Sequence, residues 1–240
     1  DKIYGGDNND TLRSGAGDDE LYGEGGDDKL VLSGVGTMIF DGGEGVDTLE
    51  ALVNDPSVWA PPDGFTHLWA NLVSGGAGLV VDGEFRQSDT LISIENVTYV
   101  TDLDTQVTGD DNDNEIITGS GNDEIYGGDG NDILRGSDGN DTIHGGAGDD
   151  VGIYDGLGTD TFHFGSGIDT LRVSNITGFS EYRDGDDLVI YSSNGADYAR
   201  VVGAYAEGSR LEYIEYTNTP DEDPYSVLRL VSENSLVPDS

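Results

Sequence analysis

Between Gly109 and Arg172 a large apolar residue returns about every nine positions, set between two outward positions of mostly polar character. Three successive units read Thr118-Gly-Ser-Gly-Asn-Asp123-Glu-Ile125-Tyr126, Gly127-Gly-Asp-Gly-Asn-Asp132-Ile-Leu134-Arg135 and Gly136-Ser-Asp-Gly-Asn-Asp141-Thr-Ile143-His144. The last three positions of each unit, x-U-x with U apolar, have the period of a strand with one buried face. The glycine-rich first half supplies a sharp turn, because glycine tolerates positive φ. Three strand residues span only about 10 Å and cannot hold alone. Stacked units can, since their apolar residues then join into one core. A strict short period of this kind predicts an all-β solenoid. A low-complexity linker would not keep Asp and a large apolar residue at fixed offsets.

The same period opens the chain. Asp1-Lys2-Ile3-Tyr4 fits the end of a unit, which predicts that the sequence is part of a larger polypeptide. In-phase units with Asp10, Asp19 and Asp28 at the sixth position follow, and another ends on Asp47-Thr-Leu49-Glu50. Between them Leu32–Phe40 is degenerate: Thr37 takes the sixth position, Ile39 the core position, and Asp41 is an extra residue. In the second array Gly152 falls at a core position with one residue added, and a bulge restoring Ile153 to the core is expected.

Stacked turns bring sixth-position carboxylates and main-chain carbonyls of neighbouring layers around one cavity. Hard oxygen ligands of that kind suit calcium, which takes about 6–8 of them in flexible geometry. Zinc fits poorly, because the chain has no Cys and no regularly spaced His.

Composition agrees with a metal-filled array. Asp and Glu number 49 against 10 Lys and Arg, a formal net charge of −39. Without counter-ions that charge opposes compaction. It also argues against nucleic acid, since nothing basic is concentrated enough to neutralise phosphates. With no Cys, disulfides and thiol chemistry are excluded. No apolar run approaches the ~20 residues of a membrane helix, so direct membrane insertion is not expected.

The Gly-Gly-x-Gly-x-Asp-x-U-x units resemble the repeats-in-toxin (RTX) family of secreted bacterial proteins. The resemblance implies a right-handed parallel β-roll with calcium between turns of repeats two apart. Carried onto this chain, it pairs Asp123 with Asp141, Asp132 with Asp150, Asp141 with Asp160, and Asp150 with Asp169. In the first array it pairs Asp1 with Asp19, Asp10 with Asp28, and Asp28 with Asp47. Asn114 stands at the sixth position of its unit, so its site with Asp132 is one charge short, and the site joining Asp19 with Thr37 is lost or weak. The remaining ligands expected are carbonyls of turn residues such as Gly6, Gly15, Gly25, Gly119, Gly121, Gly128, Gly130, Gly139, Gly146 and Gly148. Export through type I secretion machinery, with folding outside the cell, is implied by the same resemblance.

The rest of the chain is organised around these arrays. Residues 1–50 form the first block and 109–172 the second. Residues 51–108, with Pro56, Pro61 and Pro62, read as a β segment that continues the solenoid with longer, metal-poor turns. Residues 173–217 read as a small antiparallel capping sheet: strands on either side of Asn194-Gly195 form a hairpin, and Arg210–Tyr216 adds a third strand. Residues 218–240 read as linker and tail, with a short strand at Val227–Val231.

No catalytic constellation stands out from the repeats. Gly-x-Ser-x-Gly and His-Glu-x-x-His are both absent. His67, His144 and His163 share no metal-ligand spacing, and the last two fall at the outward ninth position. The chain thus reads as a non-catalytic calcium-binding module of a secreted or cell-surface protein. The alternative is a polysaccharide-binding accessory module, as in alginate epimerases, with Trp59, His67 and Trp69 as a stacking platform. Self-association at the cell surface is a third reading.

Overall fold

The computed structural model describes residues 1–34, 36–52, 65–81, 84–85, 89–174, 179–192, 195–206, 211–217 and 227–230. Among them there are strands and turns and no helix.

The first block holds β1 (Lys2–Asp7), β2 (Thr11–Arg13), β3 (Asp19–Gly25), β4 (Lys29–Leu32), β5 (Met38–Glu44) and β6 (Thr48–Leu52). Between the blocks lie β7 (Phe65–Asn71), β8 (Gly76–Val81), β9 (Glu84–Phe85), β10 (Asp89–Ile92), β11 (Asn96–Val100) and β12 (Asp104–Thr108). The second block holds β13 (Glu115–Ile117), β14 (Glu124–Asp129), β15 (Ile133–Arg135), β16 (Thr142–Ala147), β17 (Val151–Tyr154), β18 (Thr159–His163) and β19 (Thr170–Val173). Last come β20 (Phe179–Asp184), β21 (Asp187–Ser192), β22 (Tyr198–Val201), β23 (Tyr213–Tyr216) and β24 (Val227–Leu230).

Within the blocks, successive strands alternate between two sheets and pair in parallel with the strand two units away, which makes the fold a parallel β-solenoid. Sheet I runs β1-β3-β5-β10-β8-β7-β12-β14-β16-β18-β22-β21-β20, with β9 pairing beside β8. Sheet II runs β2-β4-β6-β11-β13-β15-β17-β19-β23-β24. The eighth-position residues meet between the sheets: Leu21, Phe40, Val107, Ile125, Ile143 and Phe162 from sheet I face Leu30, Leu49, Val97, Ile116, Leu134 and Leu171 from sheet II, all buried. Each such side chain contributes about 1.5–3 kcal/mol by burial, so the core is assembled a layer at a time.

Four local expectations are corrected. In the degenerate unit Met38 aligns with Asp19 and Phe40 with Leu21. Met38 and Phe40 are fully buried while Ile39 is half-buried, so the core position is Phe40, not Ile39. Asp41 then pairs with Tyr22 as an ordinary ninth residue, and Met38 stands where the carboxylate would be. At Gly152 no bulge forms. Gly152 stays in register between Leu134 and Leu171, and Ile153 points outward beside Arg135 and Arg172. The rings of Phe162 and Phe164 fill the space: a Cβ on Gly152 would lie 2.7 Å from one and 2.9 Å from the other.

Residues 65–81 differ from a long-turned solenoid layer. Strands β7 and β8 form an antiparallel hairpin set into sheet I between β10 and β12, while sheet II passes directly from β6 through β11 to β13. The calls on Pro56, Trp59, Pro61 and Pro62 lie outside the described residues, as do the side chains of His67 and Trp69.

In the last region β21 and β22 pair antiparallel as the sequence suggests, although Asn194 lies outside the described residues, and β20 adds a strand through the turn at Gly185. Strand β23 does not complete that sheet. It stacks in parallel on β19 in sheet II, with β24 antiparallel at its edge.

Candidate metal centre

Each sixth-position residue sits where a turn enters a strand, so the two edges of the solenoid carry two columns of carboxylates. Along the turns entering sheet II, the N–H of Asp10 donates to Oδ1 of Asp28 at 2.8 Å, Asp28 to Asp47 at 2.8 Å, Asn114 to Asp132 at 2.8 Å, Asp132 to Asp150 at 3.0 Å, and Asp150 to Asp169 at 3.0 Å. Along the turns entering sheet I, Asp123 donates to Asp141 at 2.9 Å and Asp141 to Asp160 at 3.1 Å. The amino group of Asp1 reaches Oδ1 of Asp19 at 2.8 Å. The residues paired by the sequence argument are thus successive rungs of two ladders. The exception is the pair Asp19 and Thr37: Thr37 donates its N–H to Oδ1 of Asp18, and Met38 donates to Asp89.

One oxygen of each rung is used this way. The other is not. Oδ2 of Asp19, Asp28, Asp47, Asp123, Asp132, Asp141, Asp150 and Asp169 is buried with no hydrogen-bond partner. A buried anionic oxygen without a partner is costly. Burial accordingly pushes the carboxyl pKa of Asp47, Asp132 and Asp150 up to about 6, Asp141 and Asp169 to about 7, and Asp160 to about 8. Asp123 is also raised by burial, opposed by the hydrogen bonds that Thr105 donates to its Oδ1. Either a proton or a cation must answer those oxygens.

The surrounding atoms fit a cation. A Cβ on Gly5 would meet both Asp10 Oδ2 and the carbonyl of Gly23; on Gly23, Asp28 Oδ2 and the carbonyl of Gly42; on Gly127, Asp132 Oδ2 and the carbonyl of Gly145. Carboxylate and carbonyl oxygens of adjacent layers therefore border one small space, kept open by the missing side chain at the first position. At Gly109 the same place is bordered by Oδ1 of Asn114, a neutral oxygen, and the carbonyl of Gly127. Among the described residues no three carboxylate or imidazole groups converge on a point. A metal here needs main-chain ligands, and hard carbonyl oxygens beside carboxylates suit calcium.

Of the predicted carbonyls, those of Gly15, Gly121, Gly128, Gly130, Gly139, Gly146 and Gly148 face a glycine of the next turn on the same edge. Gly139 O also accepts from Thr159 N at 3.1 Å and Gly146 O from Ser166 N at 2.8 Å, which leaves each one lone pair. The structure gives no such cross-layer contact for the carbonyls of Gly6, Gly25 and Gly119. It adds the first-position carbonyls of Gly23, Gly42, Gly127 and Gly145, which the sequence reading did not single out; the recurrence of glycine at that place was their signal. The edges also differ. Toward sheet I the first position is Ser14, Ser33, Thr118, Gly136 or Asp155; Thr118 Oγ1 donates to Gly136 O at 3.1 Å, while a Cβ on Gly136 would meet Asp141 Oδ2 as on the other edge. Asp155 is buried and paired with Arg135 at 2.7 Å.

Further ladders went unread in the sequence. Fifth-position amides and carboxylates bind across layers: Asn122 Oδ1 accepts from Asn140 N at 3.2 Å, and Asn131 Oδ1 from Asp149 N at 2.7 Å. At the ninth position Tyr126, His144 and His163 stack with ring centroids 4.6 and 4.7 Å apart, as Tyr4 and Tyr22 do at 5.0 Å. A spacing of one full solenoid turn, invisible as a local motif, brings the two histidines together.

A family comparison bears on the repeats. The model of the RTX calcium-binding nonapeptide repeat matches in four copies, over residues 1–34, 108–143, 126–152 and 135–171. No curated protein matches the chain. Among solved structures, the extracellular lipase LipA from Serratia marcescens is similar at 15% identity and a TM-score of 0.31, over 88% of this chain and 40% of that one. The chain thus spans well under half of that lipase's length. Residues 1–34 and 108–171 thus match the RTX calcium-binding nonapeptide repeat and hold most rungs of both carboxylate ladders, Asp47 lying outside the matched spans.

Proposed function

We propose that the chain is a non-catalytic structural module of a larger secreted or cell-surface bacterial protein, folding where calcium is plentiful. The observation that supports this is the row of buried, unpartnered aspartate Oδ2 atoms beside carbonyl oxygens. Bound calcium supplies the positive charge those oxygens lack. The chain's own residues do the rest. At low calcium the carboxylates of adjacent rungs repel one another and hold the turns apart, which suits passage through a type I secretion channel. At about 10⁻⁴–10⁻³ M, the range of extracellular modules, Asp132, Asp150 and their neighbours lock their turns and metal binding becomes folding energy.

Circular dichroism during a calcium titration tests this reading. Little strand in chelator and a cooperative gain with calcium is the expected result; a native spectrum indifferent to chelator overturns it. The polysaccharide-binding alternative needs an exposed ring face. The described ring columns stack face to face, and the side chains of Trp59, His67 and Trp69 lie outside the described residues.

A further inference from the structure

Both repeat blocks end, on the sheet II edge, at a glutamate. Asp47 donates its N–H to Oε2 of Glu95 at 2.8 Å, and Asp169 donates to Oε2 of Glu212 at 2.7 Å. These distances match the aspartate rungs below them. Each glutamate is also tied by its backbone in the same way. The carbonyl of Asp47 accepts from the N–H groups of Glu95 and Asn96, at 3.1 and 2.9 Å, and the carbonyl of Asp169 accepts from Glu212 and Tyr213, both at 3.1 Å.

The local sequences correspond as well. Ile94-Glu95-Asn96-Val97-Thr98-Tyr99 and Leu211-Glu212-Tyr213-Ile214-Glu215-Tyr216 share the order apolar, Glu, x, apolar, x, Tyr, and their apolar and Tyr positions are all buried. Neither is preceded by a nonapeptide turn. Strands β10 and β11 are joined by Ser93, Ile94 and Glu95 alone, and Asn96 pairs with Thr48, which sets Glu95 opposite Asp47 where a rung aspartate would stand. Its carboxylate continues the ladder without a glycine turn before it.

What the glutamates face points to a ligand. Oδ2 of Asp47 and of Asp169 is buried without a partner, and both residues are fully buried. A Cβ on Gly42 would meet Asp47 Oδ2 and the carbonyl of Ser93, the arrangement found at Gly23 and Gly127 inside the blocks. Ser93, at φ 48°, turns that carbonyl into the place of the missing first-position glycine. Beyond Glu95 the pattern stops: Asn114 Nδ2 donates to the carbonyl of Glu95 at 2.7 Å, putting an amide where a cation would otherwise sit.

We propose that Glu95 and Glu212 are calcium ligands, each closing a terminal site against Asp47 or Asp169 that lies outside the nonapeptide pattern. The proposal rests on the calcium reading of the ladders. Replacing an acid by its amide separates ligation from simple rung-making, because Glu95→Gln and Glu212→Gln keep an oxygen that can accept the backbone N–H.

The experiment counts calcium ions per chain by calorimetric titration of the full chain, with circular dichroism at saturating calcium. Each Gln variant is expected to bind one ion fewer than the parent and the double variant two fewer, with strand content kept. Unchanged counts in both variants overturn the proposal. Asp132→Asn, inside the second block, reports on the ladders themselves: if it loses ions while the Gln variants do not, only the terminal sites fail. A parent chain that binds no calcium sinks the functional reading instead. A second measurement needs no variant. Crystals soaked in terbium should show anomalous density between Asp47 and Glu95, and density at the other rungs but not there also overturns the proposal.

Discussion

The N–H of Asp132 is bonded to Oδ1 of Asp150, 3.0 Å away, and Oδ2 of the same Asp150 is buried with nothing bonded to it. One side chain thus fastens the layer behind it and offers an unanswered oxygen to the space in front. Asp28, Asp47, Asp132, Asp141 and Asp169 repeat this division, so fastening and metal ligation can be separated by substitution.

Asp150→Asn should keep the fastening and lose the charge. The calcium midpoint for folding is expected to rise at least about tenfold, a loss of about 1.4 kcal/mol or more. Asp111→Asn, at an exposed turn position outside the ladder, should leave the midpoint where it was. Equal midpoints for the two variants, read by circular dichroism, would remove the ladder from the binding account.

Acid should imitate calcium. Burial raises the carboxyl pKa of Asp160 to about 8, of Asp141 and Asp169 to about 7, and of Asp132 and Asp150 to about 6. Unfolded aspartate titrates near 3.9. A raised pKa favours the metal-free fold at low pH, and that stability is lost as pH rises through the folded values. In chelator, strand content should therefore grow as pH falls from about 8.5 to 5. Over the same window the calcium midpoint should rise, since protons and calcium compete for the same oxygens. A flat chelator titration would contradict this.

Gly127→Ala places a Cβ against Asp132 Oδ2 and the carbonyl of Gly145. It should reduce the ion count as well as stability. Gly185→Ala, at φ 66° with open space around it, should cost only about 1–2 kcal/mol of backbone strain and leave the ion count intact. Calorimetry on the two variants distinguishes site loss from strain.

Gly152→Val moves the sequence toward the repeat pattern and should nonetheless destabilise the chain by about 1–3 kcal/mol, because Phe162 and Phe164 already occupy the space. Thermal melts in saturating calcium will show it; a more stable variant would mean the rings are free to withdraw.

The period made the two-sheet stack and the rung aspartates legible, because Asp132 and Ile125 each repeat at a fixed offset. Where the period breaks, sequence offered equal choices and packing chose between them. Counting forward put Ile39 in the core; the larger Phe40 and the flexible Met38 fill it better, and the register moved by one. Gly152 looked like a defect until Phe162, from the next layer, was seen to lean into it. Glu95 and Glu212 were unreadable as rungs because they lack the glycine turn that marks the others. His144 and His163 share only a solenoid turn, which becomes a distance once layers are stacked.

The hairpin of β7 and β8 has a geometric consequence for the whole rod. From β5 to β12 sheet I takes four inter-strand steps, while sheet II takes two from β6 to β13. At about 4.8 Å a step, one side is longer by roughly 10 Å, which is also about the spacing of the two faces. The two sides of the stack therefore join the blocks through unequal numbers of courses, and the surplus on the sheet I side has to be taken up where the hairpin is set in.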